Sequence, residues 1–207
     1  MNSLVNVRLI YVHDPMCSWC WGFEPVREQL FGIVSERLEI RTLLGGLAPD
    51  SNALMPQAMQ LMLRSTWQKI QKAIPSTEFN YAFWDDCQPR RSTYPANRAV
   101  IAARMQAEKF EKRMTLKIQQ AYYLEARNPS DIDTLIRLAV DIGLDSVQFG
   151  VDIRSAEVKN ELSREIDMAR SLGLNSFPAM ALETSAGIKT IHIDYVNVEN
   201  ILAQIYH

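Results

Sequence analysis

Two cysteines separated by two residues, Cys17 and Cys20, are the residues in this 207-residue chain whose types and spacing best suit chemistry. The thiolate form of cysteine is both the nucleophile of disulfide exchange and a ligand for metals. A closed zinc site needs four ligands, and Cys87 with the scattered histidines His13, His192 and His207 forms no second pair. The spacing therefore predicts a redox-active pair, with half of a zinc site as the alternative.

The segments on either side of this pair predict that Cys17 stands between a strand and a helix. Residues 7–12 are rich in β-branched and aromatic side chains, and apolar residues across 26–34 recur at helical spacing. The free N–H groups and the positive dipole end of a helix stabilise an anion. We therefore expect the pKa of Cys17 to fall from about 8.5 into a range of roughly 3.5–7.5. Cys17 is then the attacking thiolate, and Cys20, one turn deeper, is the resolving thiol.

Composition limits the classes of partner and the compartment. A net charge of −2 and a pI near 6.0 give no general attraction to nucleic acid or to anionic membranes. Residues 1–6 lack the features of a secretory signal, and no run is long enough to span a bilayer. We therefore expect a cytoplasmic protein, in which a cysteine pair is more often catalytic or metal-binding than structural. Cys87 is then an ordinary loop thiol.

The rest of the chain predicts the elements that hold the pair. Residues 38–44 form a strand that closes a parallel βαβ unit. Several helices follow, and a strand, a turn, a second strand and a last helix end the chain. The predicted ranges are a helix with a core-facing stripe from Met55 to Ile70, an irregular segment over 75–95, one helix from about 96 to 127, helices over 132–142 and 155–172, a short piece near 146–149, strands over 179–183 and 189–193, and a helix over 196–206. The methionines of the first stripe could instead form an adaptable surface for unfolded substrates.

The string from Asp14 to Phe23, DPMCSWCWGF, followed by the helix-kinking Pro25, resembles the DsbA-like branch of the thioredoxin fold. Within that branch it is similar to the FrnE-like subfamily of predicted protein-disulfide isomerases, as residues 94–104 also are. The resemblance implies an α/β protein with a thioredoxin-like core, βαβ and then ββα, interrupted by an all-helical insertion. The implied ranges are 1–48 and 174–207 for the core and 49–173 for the insertion.

The resemblance also implies the second half of the site. Thioredoxin-like proteins carry a cis-proline loop opposite the cysteines, and Phe177 and Pro178 match it; the alternative is an ordinary trans proline at a strand start. The backbone of Phe177 would pair with an extended substrate. Ser18 and Trp19 would contact substrate, with Trp19 exposed. Trp21 is expected in the core.

One acidic residue and one missing carboxylate complete the expected site. Glu24 matches an acidic position that would raise the thiol pKa by like-charge repulsion, or it is an exposed first-turn acid that favours the helix. Tyr11 stands where relatives place a carboxylate near the resolving thiol. The proton acceptor for Cys20 therefore stays unassigned between His13 and Asp14.

The function implied is thiol–disulfide oxidoreductase or protein disulfide isomerase activity on protein or peptide thiols and disulfides. It needs no bound cofactor or metal, and glutathione is the candidate redox partner. Because Ser18 and Trp19 supply no cation, we expect a redox potential more reducing than about −120 mV.

Two alternative functions stay open. One is a glutathione-dependent isomerase or transferase similar to the kappa-class and hydroxychromene-carboxylate isomerase enzymes, which generally lack the second cysteine. The other is a non-enzymatic binding module of the same fold.

Overall fold

A computed structural model describes residues 7–206 of the chain, so the ends of the predicted core ranges, residues 1–6 and His207, lie outside the described residues. The described part contains four strands: β1 Arg8–His13, β2 Glu39–Leu44, β3 Ala179–Thr184 and β4 Gly187–Ile191. Its helices are α1 Ser18–Val34, α2 Gln57–Ala73, α3 Phe83–Asp86, α4 Tyr94–Gln106, α5 Lys109–Tyr123, α6 Ile132–Asp141, α7 Ser146–Asp152, α8 Ala156–Ser171 and α9 Val198–Tyr206. Within residues 7–206, no helix combines the length and apolar character that a bilayer span requires.

The strands form one sheet in the order β2-β1-β3-β4. β1 pairs in parallel with β2 and antiparallel with β3, so that Val12 lies opposite Leu43 on one side and Ala179 on the other. β3 and β4 form an antiparallel hairpin that turns at Ser185 and Ala186. The predicted thioredoxin-like order, βαβ followed by ββα, is therefore confirmed, and β1 runs through the centre of the sheet.

Alternating side chains of β1 build two layers, because successive residues of a strand point to opposite faces of a sheet. Leu9 and Tyr11 face helices α1 and α9, in a core that includes Phe23 and Ile201. The neighbouring residues on β1 instead face α8, in the cluster Ile10, Val12, Leu43, Ala169, Leu174 and Ala181. Helix α8 is in the range predicted as the insertion, yet it covers one face of the sheet.

The helices after β2 share a third apolar core, which is built around Trp67 of α2. The indole of Trp67 is fully buried and packs against the rings of Phe79, Trp84 and Tyr123. The expected core face of α2 is correct for Trp67 and Ile70, whereas Met62 of the same predicted stripe is 54% exposed.

Several of the predicted helix and strand boundaries are wrong. The helix expected from about 96 to 127 is two helices, because the chain is extended at Ala107 between α4 and α5. The irregular segment 75–95 contains the one-turn helix α3, whose Phe83 and Trp84 are buried. The short piece near 146–149 extends to Asp152, β4 begins at Gly187 rather than 189, and α9 begins at Val198 rather than 196.

Candidate active site

The two cysteines lie at the start of α1, shortly after the end of β1. Cys17 is the N-cap residue of α1, with extended backbone angles, and Cys20 is in the first turn. Cys17 keeps 7% of its surface exposed, whereas Cys20 is completely buried. Both are free thiols. The predicted junction is therefore confirmed, and the first cysteine has the only access to solvent within this pair.

The buried thiol of Cys20 is held in its neutral form. Burial, a hydrogen bond with the Cys17 side chain and the proximity of that thiol raise the pKa of Cys20 well above its usual range. Hydrogen bonding from the backbone of Asp14 opposes this rise. Cys20 must therefore lose a proton before it can attack a sulfur atom.

The loop before β3 lies against the first cysteine. The thiol of Cys17 donates to the carbonyl oxygen of Phe177 across 3.3 Å, and the peptide bond between Phe177 and Pro178 is cis. Pro178 is buried and Phe177 is half-buried. The ring of Phe177 fills the space above Gly45, where an added Cβ would lie 2.0 Å from it. A glycine at the end of β2 therefore makes room for the loop that faces the thiols.

Asp14 connects the turn before Cys17 to the rest of the molecule. Its buried carboxylate accepts from the backbone N–H groups of Met16 at 2.8 Å and Leu47 at 2.7 Å. It also accepts from Thr93 Oγ1 at 2.7 Å and Asn97 Nδ2 at 2.8 Å, on or beside helix α4. Burial raises the pKa of Asp14, and these hydrogen bonds oppose the rise. With four donors already bound, Asp14 serves to position the loop.

The residues between and after the cysteines contact aromatic side chains. Ser18 accepts a hydrogen bond from the indole of Trp67. Trp19 was expected to be exposed but is half-buried, because its ring lies 5.0 Å from that of Tyr195. Trp21 was expected in the core but is also half-buried; it stacks on the buried ring of Tyr123 and donates to the carbonyl of residue 78. Ser18 and Trp19 therefore both lie beside Cys17 with part of their surface accessible.

Glu24 is buried, which contradicts the interpretation of an exposed first-turn acid. Only 9% of its surface is exposed, and it lies in the second turn of α1. Its carboxylate is paired with Arg27, whose Nε donates across 2.7 Å. Because the two opposite charges are in contact, the expected repulsion between Glu24 and the thiols is reduced, and its effect on them stays a prediction.

A cavity of about 550 Å³ lies along the outer edge of β2 and is bordered by Tyr11, His13, Glu24 and Arg27. Tyr11 and His13 are both buried, and their rings stack at 5.2 Å with an interplanar angle of 9°. Burial and the nearby Arg27 lower the pKa of His13 to about 3. Burial and the proximity of Cys20 raise the pKa of Tyr11 well above its usual range. His13 is therefore neutral at neutral pH.

The expected site residues come together in space: Cys17, Cys20, Ser18 and Trp19 at the start of α1, and Phe177 with Pro178 opposite them. Sequence reasoning missed Asp14 as an anchor and Tyr123 and Tyr195 as neighbours of the site, and it predicted Trp67 only as a core residue of its helix. Asp14 opens the string that carries the resemblance, but nothing local in the sequence links it to Asn97, which donates to it. Within residues 7–206, no three His, Cys, Asp or Glu side chains are arranged so that they could hold a metal ion.

Comparison with known proteins agrees with this geometry. The family model described as thioredoxin matches residues 10–199. Among solved structures, a candidate protein disulfide isomerase from Nitrosomonas europaea is 25% identical, with a TM-score of 0.83, covering 96% of this chain and 95% of that one. The cytosolic disulfide reductase DsbM from Pseudomonas aeruginosa, also solved with GSH, is 22% identical, with a TM-score of 0.74 and 89% of each chain covered.

The curated relatives have a different description. ClpXP adapter protein SpxH of Bacillus subtilis is 26% identical over 168 residues, which are 81% of this chain and 55% of that protein. The same adapter from Shouchella clausii is 26% identical over 183 residues, 85% of this chain and 59% of that protein. The chain thus spans a little over half the length of these relatives. Because the family model matches most of the chain, the protein belongs to the thioredoxin family, and it shares its fold with DsbA-like oxidoreductases.

Proposed function

We propose that this protein is a dithiol–disulfide oxidoreductase that works through Cys17 and Cys20. The arrangement of the two free thiols carries the proposal: one is partly accessible at the N-cap of α1, and the other is fully buried next to it. Cys17 lies at the N-terminal, positive end of the dipole of α1. The carbonyl of Phe177, 3.3 Å from that sulfur, is a backbone acceptor that an extended substrate segment can use.

The reaction proceeds by two exchanges of sulfur. The thiolate of Cys17 attacks one sulfur of a substrate disulfide, forms a mixed disulfide, and releases the other substrate sulfur, which takes a proton from solvent. Cys20 then loses its proton and attacks Cys17, which releases the second substrate thiol. The substrate gains two electrons, and the protein is left with a Cys17–Cys20 disulfide. Two molecules of a small thiol such as glutathione reduce that disulfide.

The expected substrates are protein or peptide disulfides, and the expected direction is reduction or isomerisation in a reducing cytoplasm. Two structural neighbours support this choice: one is a candidate protein disulfide isomerase, and the other is a cytosolic disulfide reductase that was also solved with GSH. Ser18, Trp19, Phe177 and Pro178 are the proposed contacts with substrate. No resident cofactor or metal takes part in the proposed mechanism.

The test is reduction of insulin by the purified protein with glutathione as the reductant. Cys17→Ser should abolish turnover, and Cys20→Ser should accumulate mixed disulfides because the resolving thiol is gone. Cys87→Ser is the matched control: Cys87 donates to the carbonyl of Ala126, away from the pair, so its loss should leave turnover unchanged. Turnover at the parent rate by Cys17→Ser would contradict the proposal. Identification of the proteins captured on Cys20→Ser in cells would then define the substrates.

Two other functions have observable signatures. The curated relatives are adapter proteins, so a binding module for a protein partner is the second candidate. An adapter would hold its partner when both cysteines are serines, whereas a disulfide-exchange enzyme would lose every captured protein. A glutathione-dependent isomerase or transferase would bind glutathione saturably and keep full activity in Cys20→Ser. The presence of Cys20, which such enzymes generally lack, argues against it.

A further inference from the structure

The indole of Trp67 reaches the dipeptide between the two cysteines. Its Nε1–H donates a hydrogen bond to Ser18 Oγ across 3.0 Å. Trp67 is on α2, in the predicted insertion, and Ser18 is the first residue of α1, directly after Cys17. A helix of the insertion therefore contacts the redox pair through one polar atom of a fully buried side chain.

Neighbouring rings fix the direction of this N–H group. Phe79 stacks on the indole with ring centroids 4.7 Å apart and an interplanar angle of 16°. Trp84 lies 4.9 Å away, and Tyr123 meets the indole nearly edge-on at 5.6 Å. Because a packed aromatic side chain has few rotamers available, the donor of Trp67 stays aimed at Ser18.

The hydroxyl of Ser18 is consequently oriented. A serine hydroxyl has one proton to donate and two lone pairs that accept, whereas an indole N–H only donates. When Trp67 occupies a lone pair, the proton of Ser18 turns away from the indole, and its bond is polarised so that it becomes a better donor. Tyr123 lies beside the same serine. Its buried hydroxyl forms no hydrogen bond of standard geometry within residues 7–206, but it lies close enough to Ser18 for that serine to oppose the rise that burial causes in the pKa of Tyr123.

An oriented donor matters most when Cys17 is a thiolate. The neutral thiol gives its proton to the carbonyl of Phe177, but a thiolate has no proton and only accepts hydrogen bonds. Building on the function proposed above, we propose that Trp67 is a positioning residue that holds the hydroxyl of Ser18 toward the Cys17 thiolate and so stabilises the reduced form of the pair. The disulfide form has no charge at Cys17 and gains nothing from this donor.

The test measures the equilibrium between the Cys17–Cys20 disulfide and glutathione. Trp67→Phe keeps a packed ring but removes the N–H, so the equilibrium constant for reduction of the disulfide should fall about threefold, as expected for one modest neutral hydrogen bond. Trp84→Phe is the matched control, because it removes an indole from the same cluster whose Nε1 has no hydrogen-bond partner within the described chain. Trp84→Phe should leave the constant unchanged.

A double-mutant cycle with Ser18 separates the hydrogen bond from packing. Ser18→Ala should lower the constant, and Trp67→Phe should have no further effect once Ser18 is alanine. Equal shifts in Trp67→Phe and Trp84→Phe, or an undiminished effect of Trp67→Phe in the Ser18→Ala background, would overturn the proposal. If Trp67→Phe fails to fold, the comparison moves to Ser18: Ser18→Thr must retain more of the parent constant than Ser18→Ala does, and the opposite order refutes the inference.

This measurement is independent of turnover, because the equilibrium is read on the protein's own cysteine pair without a protein substrate. A shift in Trp67→Phe together with absent insulin reduction by the parent would support the positioning role and refute the proposed function. Normal insulin reduction with an unchanged constant in Trp67→Phe would refute the positioning role alone.

Discussion

The sulfur of Cys17 donates a hydrogen bond to the carbonyl oxygen of Phe177, 160 residues further along the chain. The contact joins the start of α1 to the loop before β3, and the ring of Phe177 in turn rests on Gly45 at the end of β2. Three segments that are distant in sequence thus meet at one sulfur atom. The position of Phe177 depends on the absence of a side chain at residue 45.

Gly45→Ala should therefore destabilise the fold and disturb the site together. A Cβ at this position would lie 2.0 Å from the ring of Phe177, and such overpacking costs about 2 kcal/mol. Insulin reduction should fall as well, since the ring must move away from residue 45 and the carbonyl that contacts Cys17 belongs to the same phenylalanine. Gly32→Ala is the control: it lies in α1 with no atom within 4 Å of the added methyl, so it should stabilise by roughly 0.5–1 kcal/mol. Urea denaturation of both variants checks the signs; a neutral Gly45→Ala would contradict the prediction.

Asp14→Asn should weaken the hydrogen bonds that hold the loop before Cys17 and those that join this loop to Thr93 and Asn97 at the start of α4. Its carboxylate accepts four hydrogen bonds, and an amide there would place an N–H group against donors, at a cost of roughly 2–3 kcal/mol in the free energy of unfolding. Asp86→Asn, at an exposed position, is the matched control and should change stability little. The two denaturation midpoints provide the measurement, and similar values for both variants would show that the Asp14 network is dispensable.

Stability should fall in mild acid because of His13. Its pKa is about 3 in the folded protein and about 6.5 when unfolded, so the unfolded state binds more protons between these values. The contribution is present above pH 6.5 and is lost as the pH falls; between pH 7 and pH 5 the loss is about 2 kcal/mol. His13→Phe keeps a ring stacked on Tyr11 and should flatten the profile over this interval.

His192→Phe controls for the loss of an imidazole at an exposed position. Its free energy of unfolding should follow that of the parent from pH 7 to pH 5. If His13→Phe keeps the parent slope, then His13 is not the group that binds protons on unfolding.

The redox potential of the Cys17–Cys20 pair should be more reducing than about −120 mV. A cation between the cysteines would stabilise the thiolate, whereas Ser18 and Trp19 offer only neutral groups. Replacing Trp19 with His should therefore move the potential in the oxidising direction, and Trp19→Phe serves as the uncharged control. Equilibration with glutathione buffers measures all three; a parent value at or above that limit would refute the expectation.

The succession of strands along the chain, and the placement of the two cysteines beside Phe177 and Pro178, could be predicted from the sequence and from the resemblance that it carries. The strand-forming residues around β1 and the CxxC spacing are local features of the sequence, so they can be recognised without any knowledge of packing. The roles of Asp14 and Trp67 are different, because they depend on Thr93, Asn97 and Ser18, which come close only after the helices have docked. The ion pair of Glu24 with Arg27 is a local i,i+3 contact, but its burial is set by elements outside α1.

The four donors around Asp14 also affect how the molecule can be divided. Two of them belong to the chain near the cysteines, and two belong to the segment at the start of α4, so removing the helical segment would leave a buried acid half satisfied. A shortened protein that keeps only the sheet and its flanking helices would then contain an incompletely hydrogen-bonded carboxylate in the loop before Cys17. Miniaturised versions should therefore replace Asp14 with a small apolar residue, and evolutionary gain or loss of the helices is expected to be coupled to this position.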